Sequence, residues 1–285
     1  MSKRQRLLLV EVLVPCALVV IWYVISLNST SFYFPPLKTI LGNFWSFWLG
    51  KGFIAQVVPS IERMAIGYGL AIVAGVIVGV GMGLSTWAHD LANPLVEFLR
   101  SIPSILLIPF GIVVLGVGTS MKVFIIALGC AFPIILNTAD GVRSVEPTLI
   151  DVARTFKLSG WTRLVRVVLP SAGPQIFAGL RASLPLALIL MVVSEMLAST
   201  NGIGYSILQA QTRFVISEMW GGIIVLGILG YLVNLILTVA EGRVLAWHRG
   251  YRASLLGKAP TAPRARRNMK ARTGRPTVRQ EERRG

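Results

Sequence analysis

Six apolar runs, each too long for the core of a soluble domain, constrain this chain more than any other feature. A helix needs about 20 consecutive, mostly apolar residues to cross a hydrocarbon layer of roughly 30 Å. Residues 7–27, 61–85, 91–115, 120–140, 174–197 and 219–247 meet that requirement. Charged residues make up 14% of the chain against 54% hydrophobic, well below the quarter or so of charged residues usual in soluble domains, and mean hydropathy is +0.70. Lipid offers the backbone no hydrogen bonds, so only helices or closed barrels cross it. No run alternates with the two-residue period of a barrel strand. The expectation is an all-α polytopic membrane protein with about six transmembrane helices. The first run follows Lys3-Arg4-Gln5-Arg6, as a signal peptide would. It is longer than a signal core and has no small-residue cleavage site behind it, so it reads as an uncleaved anchor.

Charge placement sets an orientation. With the N-terminus inside, internal segments carry Lys3, Arg4, Arg6, Arg143, Arg154, Lys157, Arg163, Arg166, Arg243, Arg249 and Arg252. External segments hold Lys38, Lys51 and Arg213, with Lys122 at a boundary. This is the positive-inside pattern, with both termini cytoplasmic. Between the first and second runs, Phe34-Pro35-Pro36 stops any helix. Residues 37–49 then read as an amphipathic helix in the outer interface, with Trp45 and Trp48 at headgroup depth. Residues 257–285 are rich in Pro, Arg, Ala, Gly and Thr. They read as a basic disordered tail whose partner, if any, is anionic lipid and not nucleic acid.

One segment between apolar runs is amphipathic instead. Leu149, Ala153 and Phe156 recur at helical spacing, as do Trp161, Leu164, Val165, Val168 and Leu169. Two short helices with apolar stripes either dock into a groove on another protein or rest on lipid headgroups. Asp151-Val152-Ala153, three residues, Lys157, nine residues, Val167, one residue and Leu169-Pro170 resemble the cytoplasmic loop of permease subunits in binding-protein-dependent ABC importers. In that family the loop reads Glu-Ala-Ala, three residues, Gly, nine residues, Ile, one residue, Leu-Pro. Lys157 departs from the pattern: glycine there permits a positive φ at the bend, and Gly160 is the residue expected to take the bend over. The resemblance extends from about residue 57 to 248. It includes Leu99-Arg100-Ser101-Ile102-Pro103, Ser194-Glu195-Met196 and Asn201-Gly202-Ile203-Gly204-Tyr205, pieces most similar to the nitrate, sulfonate and taurine branch.

The resemblance implies a type I, methionine-importer-like permease fold in a bacterial cytoplasmic membrane. It divides the chain into an anchor with an interfacial helix (1–56), a permease core (57–248) with a docking loop at 141–173, and the tail. It further implies two permease subunits, expected to be identical, two cytoplasmic ATPases that use ATP and Mg2+, and an external solute-binding protein. Asp151, Val152, Ala153, Phe156, Lys157, Gly160, Leu169 and Pro170 become the expected ATPase-docking residues. The chain has no Gly-xxxx-Gly-Lys-[Ser/Thr] run to cradle ATP itself. Its two histidines and two cysteines form no ligand set, and no nucleophile motif is present, so neither a cofactor, a metal nor catalysis of its own is expected. A secondary transporter would show an internal repeat and central coupling acids; a membrane scaffold would need the docking loop and no path.

Other residues carry expectations from pattern alone. Gly67, Ala71, Gly75, Gly79 and Gly83 form a four-residue ladder that lets helix backbones approach closely, within one subunit or between two. In the third run, Pro103 and Pro109 remove backbone donors. This marks Ser101, Pro103, Ser104 and Phe110 either as a broken helix beside a path or as an ordinary helix start. Glu195, beside Ser194, is an acid near the end of the fifth run. It lies either on the path or at the outer headgroup level.

Overall fold

The computed structural model describes residues 3–246, and among them it is helical with no strand. The basic tail, and the last residue of the sixth run, lie outside the described residues. Two compact units divide the chain, Met1–Glu241 and Gly242–Gly285; the described part of the second holds the end of the final helix.

The first run lies on α1 (Lys3–Ser26). The chain turns at Phe34-Pro35-Pro36, as the prolines require, and the Ser26 hydroxyl accepts from the Leu37 amide at 3.1 Å. The interfacial helix follows as α2 (Leu37–Asn43) and a π-helical turn over Phe44–Trp48. Trp45 stays exposed, but Trp48 is corrected: it is buried, its indole N–H donating to the Glu218 carbonyl at 3.2 Å. Gly221 and Gly222 make that slot, since a Cβ on either would stand 2.8 Å or less from a neighbouring heavy atom.

The core is three helices. α3 (Val58–Leu84) carries the glycine ladder, and its partner is α6 (Thr119–Arg143). Built on the glycines, a Cβ would lie 2.8 Å from Ile126 at Gly67, 2.7 Å from Ile134 at Gly75 and 2.5 Å from Val142 at Gly83. The partners advance in step, so the two helices run parallel with their backbones in contact. α9 (Leu169–Ala198) packs antiparallel on the other side of α6: Gly129 meets Leu190 and Gly179 meets Asn137. Met121, Ile125, Ile126, Cys130 and Met191 are fully buried at this seam.

Because α3 and α6 are parallel, residues 85–118 must return the chain across the layer. They do so as a broken element. α4 (Thr86–Ser101) and the segment Ser104–Leu115, a 3-10 turn followed by α5 (Ile108–Leu115), meet at 85°. The interruption expected in the third run, 91–115, takes the form of this bent pair. The break falls at Ile102-Pro103, where proline removes a donor and biases the preceding residue to extended geometry. Pro109 sits in the first turn of α5, a position that needs no amide donor.

Among the described residues, four helices are long and apolar enough to cross a membrane, Phe53–Leu84, Thr119–Arg143, Gly160–Ala198 and Ile216–Val244, and the bent pair taken as one element makes a fifth. The first expected span falls on α1, of which the described stretch Cys16–Ser26 is apolar but shorter than a membrane crossing. After α6 come α7 (Pro147–Thr155) and α8 (Gly160–Arg163), which joins α9 through a π-helical turn at Leu164–Val168. The second short helix expected between the fourth and fifth runs is thus the start of one 39-residue helix. α10 (Ile203–Thr212) and α11 (Ile216–Val244) complete the order.

Candidate functional site

α7 and α8 form a knuckle at the end of the molecule where α6 finishes and α9 begins. Pro147 starts α7, and its C-terminus closes on two backbone bonds, Lys157 N–H to the Arg154 carbonyl at 2.8 Å and Leu158 N–H to the Ala153 carbonyl at 3.0 Å. This double closure needs a left-handed residue, and Lys157 supplies it with φ +52°. Gly160 does not take over the bend, contrary to expectation. It opens α8 behind Ser159, whose hydroxyl caps the Thr162 amide at 3.2 Å. A left-handed non-glycine residue costs roughly 1–2 kcal/mol, so the shape persists at Lys157 despite its side chain.

The knuckle's apolar groups point two ways. Ala153 is 2% exposed and packs inside the subunit, whereas Phe156 is 75% and Trp161 74% exposed. Val152 and Val165 are also exposed, and Asp151 makes only a solvent-facing pair with Arg154, worth little in water. Leu169 and Pro170 form the first turn of α9, and Val168 beside them joins a small core with Val142 and Ala172. Ala153 therefore supports the knuckle from within, and Phe156 and Trp161 are its outward face.

At the opposite end, the structure encloses Glu195. Its carboxylate is fully buried and accepts from Arg63 at 2.9 Å, from the Ser60 hydroxyl at 2.8 Å and from the Gly204 amide at 3.0 Å. Arg63 also donates to the Asn201 carbonyl at 3.1 Å and to the Asn201 side chain. The Gly202 amide donates to Gln56 at 2.8 Å, and the Ile203 amide to Ser60 at 2.8 Å. The Asn201-Gly202-Ile203-Gly204 turn wraps the carboxylate so closely that a Cβ at Gly202, φ +119°, would sit 2.4 Å from its carbon. Lys122 is buried nearby, its ammonium on the Gly118 carbonyl at 3.1 Å. Glu195 is thus enclosed by protein in this structure; it joins α9 to α3 and to the turn before α10.

The remaining expected path residues do not converge either. Ser194 bonds back to the Met191 carbonyl inside its own helix, and Ser101 likewise to Glu97. Ser104 packs at the α6–α9 seam beside Gly129, while Pro103 and Phe110 face outward. Sequence reasoning missed Ser60, Arg63 and Arg181. The signal was available: an arginine inside an apolar run demands a carboxylate or water. Arg63 finds Glu195, and Arg181 of α9 pairs with Glu241 of α11.

Residues 71–245 match the family model described as the binding-protein-dependent transport system inner membrane component. A protein of Bacillus subtilis (strain 168) named as an aliphatic sulfonates transport permease is 30% identical over 243 residues, covering 84% of this chain and 87% of its own. A nitrate import permease protein of Leptolyngbya laminosa is 32% identical over 195 residues, covering 68% and 70%. Among solved structures, an inward-facing MetNI methionine ABC transporter chain aligns with TM-score 0.57 at 20% identity, over 66% of this chain and 94% of that one, a likeness of fold. The chain belongs to the inner membrane components of binding-protein-dependent transport systems, the permease subunits of ABC importers.

Proposed function

We propose that this chain forms the transmembrane path of an ATP-driven importer for a small oxyanion of the sulfonate or nitrate kind. An external solute-binding protein delivers the solute. Two copies of the chain enclose the path, and two cytoplasmic ATPases, using ATP and Mg2+, seat on the two knuckles. Both termini are then cytoplasmic, the core is 57–248 and the anchor is 1–56. The permease binds no cofactor and leaves hydrolysis to its partners. The observation that carries the reading is the exposure of Phe156 at 75% and Trp161 at 74% on the knuckle that precedes the apolar run 174–197. Buried aromatic anchors dominate many protein interfaces, and these two stand free on a braced support. The relatives' names supply the solute class.

The test is ATP hydrolysis by the purified complex, screened against ethanesulfonate, taurine and nitrate with the cognate binding protein. Stimulation by one of them is expected. Phe156→Ala and Trp161→Ala should each weaken ATPase retention by tenfold or more without lowering the melting temperature of the permease. Full retention in the double variant would place the ATPase elsewhere.

A further inference from the structure

The one charged pair that bridges two spanning helices away from the Glu195 network is Arg181–Glu241, among the described residues. A cleft of about 350 Å3 opens beside it, lined by Pro174, Phe177, Ala178, Arg181, Ala182 and Glu241. The α9 members recur at three- and four-residue spacing, so they form one stripe. On the opposite side of the helix, Gly179, Leu180, Ser183 and Leu184 are buried. Two alanines in the stripe leave the space that the cleft occupies.

Three properties set this pair apart from a structural clamp. Arg181 is 53% exposed and Glu241 23%, whereas Arg63 and Glu195 are 7% and 0%. Arg181 lies about 10 Å along α9 from the start of the apolar run at residue 174, and Glu241 lies three residues before the end of α11, so the pair sits toward the knuckle-side end of both apolar runs. A half-exposed guanidinium there is open to water, so the cleft is a place for solute. Finally, a guanidinium carries five N–H donors in a planar fork, and Arg181 commits one of its nitrogens to Glu241 among the described residues. The free edge matches an oxyanion with two coplanar oxygens.

We infer that Arg181 forms an anion subsite on the transport route, in the half of the membrane nearer the knuckle, with Glu241 as its internal competitor. This rests on the importer reading and assigns that route its charge recognition. When the cleft is empty, Glu241 holds the guanidinium. A passing sulfonate or nitrate takes the fork, and the returning carboxylate helps to release it. Binding that is favourable but easily displaced is what conduction through a pore requires. The partner chemistry is a small monovalent oxyanion; a cation would meet the guanidinium as a like charge.

The test uses the assembled complex in lipid nanodiscs, with Cys16→Ser, Cys130→Ala and a single thiol introduced by Ala178→Cys. Two methanethiosulfonates of similar size serve as probes, one bearing an ethanesulfonate and one a trimethylammonium. The anionic reagent should react about tenfold faster relative to the cationic one. Arg181→Gln should abolish that preference, Arg181→Lys should restore part of it, and Glu241→Gln should increase it. In the parent chain, Arg181→Gln should cut the maximal ethanesulfonate uptake rate about tenfold and raise the half-saturating concentration, whereas Glu241→Gln, which removes the competitor, should lower both. No reaction with either reagent, a preference indifferent to Arg181→Gln, or a half-saturating concentration that moves the same way in both neutral variants would overturn the subsite. A parent complex that imports no sulfonate or nitrate would instead sink the solute class, a separate result, because the labelling needs no transported substrate.

Discussion

Neutralising Glu195 tests whether its network holds the fold together. In Glu195→Gln, the Arg63 guanidinium keeps its charge in a site where its side chain is 7% exposed, and it loses the carboxylate at 2.9 Å. Breaking one side of a buried pair costs about 3–5 kcal/mol, because the remaining charge stays desolvated. The amide of glutamine also presents two hydrogens where Ser60 and Gly204 both donate, so one of those contacts becomes donor against donor. For a chain of this size, such a loss lowers the melting temperature by roughly 6–20 °C. Cys130 provides the readout: it is fully buried, so in a Cys16→Ser background a thiol-reactive dye reports unfolding alone. Removing both charges with Arg63→Met and Glu195→Gln should recover a large part of the loss, a coupling of at least ~2 kcal/mol in the double-mutant cycle. Melting of Glu195→Gln within a degree of the parent, or strict additivity in the cycle, would refute the argument.

Glycines on the ladder and off it should respond oppositely. Gly75→Ala places a Cβ 2.7 Å from Ile134 and should destabilise by about 1–3 kcal/mol, whereas Gly69→Ala meets nothing within 4 Å and should be neutral or stabilising; the same dye assay checks both. Lys157→Gly should relieve about 1 kcal/mol of left-handed strain and slow hydrogen exchange at the Leu158 amide, while Lys157→Val should speed it, since a β-branched residue tolerates positive φ least.

Local features of the fold were legible in the residues. Phe34-Pro35-Pro36 announced a non-helical stretch before α2, Pro103 the break before α5, and the four-residue glycine ladder a close helix contact. Each is a local rule, and the structure places each accordingly. Long-range pairings were not legible. Nothing near Glu195 in sequence says that its counter-ion is Arg63, or that Gly202 and Gly204 are glycines because a carboxylate fills the space a Cβ would need. Trp48 has the composition of an interfacial anchor, and only the slot at Gly221-Gly222 buries it. Lys157 shows the converse: the backbone kept the shape that two hydrogen bonds favour and accepted an unfavourable residue there.

The unbroken run from Gly160 to Ala198 has a mechanical consequence. Its 39 residues measure about 58 Å end to end, and a rod of that length turns angles into distances. Pivoting by 10° about its knuckle end sweeps the other end through about 10 Å. The far tip is riveted through Glu195 to Arg63 on α3, and α3 is seated along its length on α6. A push on Trp161 can dissipate at the π-helical turn at Leu164–Val168 and at Pro174 and Pro185, each of which removes an intrahelical donor. Those joints decide whether the rod and its two companions tilt as a single lever or flex near the handle.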